Sequence, residues 1–214
     1  IEGSFRSHQI PFSIKNDNDL EILERWLKSY KVDELFNQDG SIIDTIVSKM
    51  PKGHKRMSDS LVTNQGLKHD LLMPDITNYK INIMQHGSIY NSDMYSLGSY
   101  VKEIVKMNPD FMIFGPDEAL SNRFNEVFKV TNRRWNLPVL KNDEYVSKSG
   151  QVVDSILSEH VCEGLLEGYI LSGRFGFLHS YEAFIRIVDS MASQHAKWLK
   201  MCKEISWRKD IPSL

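Results

Sequence analysis

Cysteine is scarce in this 214-residue chain: Cys162 and Cys202 stand alone. Two isolated thiols make neither a metal-ligand spacing nor a disulfide framework, which predicts a reduced, cytoplasmic setting. Long apolar runs are lacking as well. None approaches the ~18–20 residues that span a bilayer, and no signal-peptide pattern opens the chain. Nor is there an excess of charge: 26 Lys and Arg against 28 Asp and Glu leave a formal net charge of -2. That balance gives no electrostatic case for nucleic acid or an anionic membrane. No P-loop, G-x-S-x-G elbow or kinase motif set occurs. "LSGRFG" holds two glycines but is not G-x-G-x-x-G. His69, His86, His179 and His195 make no metal-ligand spacing with a cysteine or an acid. There is no internal repeat, no initiator Met, and no capping element at the closing "WRKDIPSL". These ends predict a piece of a longer polypeptide.

What is present is an ordinary globular balance, 41 % hydrophobic and 25 % charged, in a length that suits one large domain or a domain with an arm. The opening "IEGSFRSHQIPF" has no period and reads as an extended arm. Leu20, Leu23, Trp26, Leu27 and Tyr30 recur at helical spacing behind Asn16 to Asn18, a stretch suited to an N-cap. Ile42, Ile43, Ile46 and Val47 predict a second, short helix ending before Pro51. Residues 50–75 are rich in turn formers and predict a linker over the surface.

The texture then changes. "YKINIM" alternates like a strand, and a helix is expected around Tyr95–Met107. "FMIFG" has the form of a buried strand. A helix from about Ala119, a strand near Val152 and Val153, a helix from His160, a strand near Phe177 and a long helix to about Leu199 follow. Such β-α alternation predicts an α/β fold with a largely parallel sheet flanked by helices. Ligands of these sheets bind outside the carboxyl ends of the strands, and both "FGPDE" and "LSEH" fall at that edge.

Asp117 and Glu118 follow one strand and open a helix; Glu159 and His160 do so on another. Each pair can be a simple helix cap. Two carboxylates on neighbouring strand ends would also crowd each other and raise one pKa, which suits a carboxylic acid exchanging protons near neutral pH. His8, in the polar arm, reads by itself as a solvent-facing histidine. Tyr181, Phe184, Ile187 and Val188 have helical spacing and read first as core packing against the sheet; aromatics at such a transition can also grip a flat heterocycle.

Taken together, "EGSFRSHQIP", "LKSYKVDELF", "MPKGHKRM", "FGPDEALSNRFNEVF", "LSEHVCEGLLEGYILSGRFG", "SYEAFIRIVDSM" and "QHAKWLK" resemble the phosphoketolases, thiamine-diphosphate enzymes. The resemblance runs the length of the chain. It implies the tail of the diphosphate-binding domain and a connector over residues 1–75, then the first part of the pyrimidine-binding domain over 76–214. It also implies cleavage of xylulose 5-phosphate, or fructose 6-phosphate, with inorganic phosphate to acetyl phosphate and an aldose phosphate.

By the same resemblance Glu159 is the glutamate hydrogen-bonded to the pyrimidine N1′ nitrogen, which favours the imino tautomer and so activates C2. Glu118 is a second active-site carboxylate, and His8 lines the channel where sugar phosphate meets the thiazolium. Tyr181 and Phe184 match positions at the pyrimidine and substrate pocket; Ser121 lies near the phosphate end of the substrate. The motif for Mg²⁺ and the diphosphate is expected outside this chain, and the enzyme is expected to be a homodimer. Departures from the family pattern are Leu165, Phe175 and the run "SDSLVTNQG". Transketolases share the architecture, but "SEHVCEG" and "QHAKWLK" look like phosphoketolase. Three functions compete: a phosphoketolase segment, inactive by itself; one chain of a split enzyme; and a non-catalytic interaction module.

Overall fold

The computed structural model describes residues 12–154, 157–206 and 208–214, without the side chains of Ser58 and residues 64–66. The chain divides into two compact units, Ile1–Lys52 and Gly53–Leu214.

In the first unit, helix α1 spans Asp17–Lys28. The Asn16 side chain accepts from the N–H groups of Asn18 and Asp19, satisfying two of the donors a helix start leaves open. Asp17 and Asp19 in the first turn and Arg25 and Lys28 in the last suit the helix dipole. Its apolar side is nevertheless uncovered: Trp26 and Leu27 are exposed, and no residue of the helix is buried. Helix α2, Asp44–Val47, is a single turn.

The second unit opens with 3-10 turns, Gly53–Lys55, Met57–Asp59, Leu61–Gly66 and Ile76–Tyr79. Most of this stretch is exposed, but it is pinned at two points. The Asn108 side chain clasps Leu72, accepting from its N–H and donating to its carbonyl, both at 2.8 Å. The N–H of His69 donates to the Gly173 carbonyl at 2.7 Å.

Among the described residues the sheet has five strands in the order β3-β2-β4-β1-β5, every pairing parallel. They are β1 (Met112–Phe114), β2 (Arg133–Arg134), β3 (Val146–Ser147), β4 (Val152–Val153) and β5 (Gly176–Leu178). The fold is α/β, with helices on both faces. Because strand side chains alternate, Ile113 points into one core with Val101, Ile104 and Val105 of α3 (Asp93–Met107) and with Phe124, Val127 and Val152. Met112 and Phe114 point into the other, with Cys162, Leu166 and Ile170 of α4 (Glu159–Ile170). A strand covered on both sides reads as a continuous apolar run, which is why "FMIF" was legible. Helix α5, Asp189–Cys202, follows a 3-10 turn over Ile185–Val188 and packs on α4.

Three local expectations are corrected. The alternating "YKINIM" is not a strand: it pairs with none of the five strands, Ile83 and Met84 are exposed, and Tyr79 packs edge-on against Tyr100 at 5.2 Å. The helix expected from Ala119 is instead a set of turns leading to a 3-10 stretch, Phe124–Lys129, broken by Arg123 at φ 67°. Tyr181, Phe184 and Ile187 are not core residues; they are exposed, and only Val188 is buried. Strands β2 and β3 had no signal, since two residues each are too few to show a period.

Candidate functional site at the carboxyl edge of the sheet

Strand register builds the site. Phe114 lies opposite Val153 on one side and Leu178 on the other, so the next residues, Gly115, Asp154 and His179, emerge side by side at the carboxyl edge. The Gly115 N–H donates to the Val153 carbonyl and the His179 N–H to the Phe114 carbonyl, each at 2.9 Å. Gly115 has no side chain for a reason: a Cβ there would lie 2.0 Å from His179 Nε2.

Beyond Gly115 the chain turns at Asp117, whose φ of 61° is left-handed, and presents Glu118. That carboxyl is 8 % exposed, and its Oε2 accepts from the Tyr181 N–H at 3.0 Å. Burial pushes its pKa upward; the Tyr181 N–H opposes this, and the negative charges of Glu159, Asp154 and Asp117 add to the rise. From β4 the chain reaches Ser158, whose side chain caps α4 by accepting from the Val161 N–H. Glu159 is the first helical residue, half-buried, and accepts from Ser180 Oγ at 3.4 Å. Cys162, one turn along, senses the same field: burial first, then Glu159, Asp154 and Glu118, push its thiol up to about 11.

From β5 come His179, Ser180 and Tyr181. Tyr181 and Phe184 form a tilted aromatic pair, centroids 6.2 Å apart, still 36 % and 43 % exposed. Ser121 is exposed on the turn after Glu118. Glu118, Glu159 and Tyr181 are thus linked at one edge by a direct bond and by charge, with Phe184 against Tyr181. His8 lies outside the described residues.

Two residues of this edge had no assigned role from sequence. Asp154 is fully buried and bonds to the Glu118 turn and to Arg133. Its signal was present, as an acid ending a Val-Val strand. His179 is 6 % exposed, and burial lowers its pKa to about 4, so the ring is neutral. Asn122 Nδ2 lies 3.1 Å from Nδ1, and Nε2 stands 3.8 Å from Asp154 Oδ1. Two cavities among the described residues lie away from this edge. A cavity of about 310 Å³ lined by His69, Leu72, Asn108 and Phe111 sits at the amino edge, and one of about 430 Å³ lies between Glu163 and Ala192.

Among the described residues no group of three or more His, Cys, Asp or Glu is placed to hold a metal ion. No helix among them is long and apolar enough to cross a membrane.

Comparison with known proteins bears on this edge. The family described as D-xylulose 5-phosphate/D-fructose 6-phosphate phosphoketolase matches residues 95–214, and the N-terminal domain of that family matches residues 1–68. The chain is 50 % identical over its whole length to a probable phosphoketolase of Clostridium acetobutylicum. It is 46 % identical, again over its whole length, to a xylulose-5-phosphate phosphoketolase of Lactiplantibacillus pentosus. In both cases it spans 28 % of the relative's length. These matches, together with the parallel α/β sheet, place the chain in the phosphoketolase family.

Proposed function

We propose that this chain supplies the pyrimidine side of a phosphoketolase active site, which cleaves xylulose 5-phosphate or fructose 6-phosphate with inorganic phosphate to acetyl phosphate and an aldose phosphate. The observation that carries the reading is the meeting of Glu118 and Glu159, from neighbouring strands, beside an exposed aromatic pair. A carboxylate near a flat, solvent-reachable aromatic surface fits an aminopyrimidine, which needs one acceptor or shared proton at a ring nitrogen and apolar cover on its faces.

Thiamine diphosphate, when bound, would supply a nucleophilic C2 carbanion. Glu159 would hold the proton shared with the pyrimidine N1′, with Ser180 Oγ donating to its Oε1. Tyr181 and Phe184 would cover the ring faces. Glu118 starts from an environment that favours its protonated form, so it can give a proton to an oxygen of the substrate and take it back. His8 and Ser121 belong to the sugar-phosphate channel in this reading. The residues for Mg²⁺ and the diphosphate come from the rest of the enzyme, in which two copies form a dimer.

Replacing Glu159 by Gln in the complete enzyme tests the reading. Proton–deuterium exchange at C2 of bound cofactor should fall on the order of a hundredfold or more, the usual loss for one interaction aimed at developing charge. Thermal stability should change little, because the side chain is half-buried and lies outside both cores. Unchanged exchange would overturn the assignment.

A further inference from the structure

Asp154 ends β4 with its side chain wholly out of solvent. Its Oδ1 accepts from the N–H groups of Glu118 at 2.9 Å and Ala119 at 3.2 Å; its Oδ2 accepts from Arg133 Nε at 3.2 Å. Burial pushes the Asp154 pKa upward, and these donors together with the Arg133 charge work against that rise, favouring the carboxylate. Both amides belong to a turn on a different strand, one that never becomes a regular helix. The bonds therefore do something other than cap a helix.

They act where the backbone is strained. Asp117 sits at φ 61°, a region that costs a non-glycine residue on the order of 1 kcal/mol or more and persists only where its surroundings over-determine it. Asp154 grips the two amides directly after that residue, and the first of them belongs to Glu118.

We infer that Asp154 is the positioning residue for Glu118: it locks the strained turn that aims the Glu118 carboxyl, and its charge, balanced by Arg133, is part of the field in which Glu118 exchanges its proton. The inference rests on the proposed active-site role of Glu118. The charged and titratable groups around Glu118 are Glu159 and Cys162 from α4, Asp154 from β4 and Asp117 from its own turn. Arg133 from β2 and neutral His179 from the end of β5 stand behind Asp154.

The test uses the complete, cofactor-loaded enzyme and the variants Asp154→Asn, Glu118→Gln and their double. Asp154→Asn should lower kcat at least tenfold with KM for the sugar phosphate within a few-fold. Removing one negative neighbour should also move the limb of the pH profile governed by Glu118 to lower pH. The double variant should be no slower than Glu118→Gln alone, because Asp154 acts through Glu118. Losses that multiply in the double, or an unshifted profile beside an intact need for Glu118, would overturn this inference alone. A Glu118→Gln enzyme at full speed would overturn the underlying reading, and this role with it. Should Asp154→Asn not fold, Arg133→Gln leaves the carboxylate in place without its counter-charge and must move the same limb to higher pH; no movement would sink the proposal.

Discussion

At the scale of single residues, Glu118 is held against its own preference. Its folded-state pKa is raised, chiefly by burial, so the unfolded chain gives up this proton at a lower pH than the folded one. Below the ordinary carboxylate range both states are protonated and nothing is lost. As pH climbs through that range and then past the raised folded value, the unfolded state is increasingly favoured. Glu118→Gln keeps an acceptor for the Tyr181 N–H and removes the charge. It should therefore raise the melting temperature at neutral pH, and that gain should vanish near pH 4. A gain that persists undiminished in acid would show that the charge is not the cause. The sequence alone pointed to Glu118 as one of a crowded pair; that it is buried and tied to Tyr181 depends on residues 63 positions apart in the chain.

At the scale of elements, helix α3 and the turn after Glu118 approach at Gly98. Helix propensity alone says Ala should be better there than Gly by about 1 kcal/mol. A Cβ at residue 98, however, would lie 2.6 Å from the Arg123 backbone oxygen, and Arg123 is already left-handed at φ 67°. Backbone cannot swing aside as a side chain can, and overpacking of this kind costs roughly 1–3 kcal/mol. Gly98→Ala should therefore destabilise the fold in urea denaturation, against its propensity; stabilisation would mean that the turn yields easily. The long helices and β1 were legible because apolar period and caps repeat over many residues. "YKINIM" misled because alternation describes a strand's faces and says nothing about whether an edge is open to receive it. The 3-10 stretch Phe124–Lys129 misled for the opposite reason: its apolar residues pack as a helix would, while one left-handed residue breaks the ladder.

At the scale of the whole molecule, the 214 residues leave much apolar surface unmatched. Leu157 is 82 % exposed, and Val161, Leu165, Phe184, Ile185 and Ile187 are exposed on or beside α4. Patches of this kind drive association. The chain expressed alone should sediment as oligomers or aggregate at micromolar concentration; a clean monomer would show that these residues need no cover. Alone it should also bind thiamine diphosphate weakly and form no acetyl phosphate, since contacts to the pyrimidine end leave little after the cost of association. Calorimetric titration with cofactor and Mg²⁺ beside an acetyl phosphate assay checks this, and micromolar binding with turnover would refute it.

The sequence by itself determined the class of fold, the strand ends after which Glu118 and Glu159 stand and the family, because these follow from local patterning and from long shared blocks. Tertiary structure alone decided the rest. Only parallel pairing in register brings Gly115, Asp154 and His179 abreast. Only that alignment lets a carboxylate on β4 hold the turn after β1 and leaves a glycine as the one residue that fits beside the imidazole. Periodicity reports which side of an element is buried; which strand lies next to it, and at what offset, is fixed by pairing between distant parts of the chain.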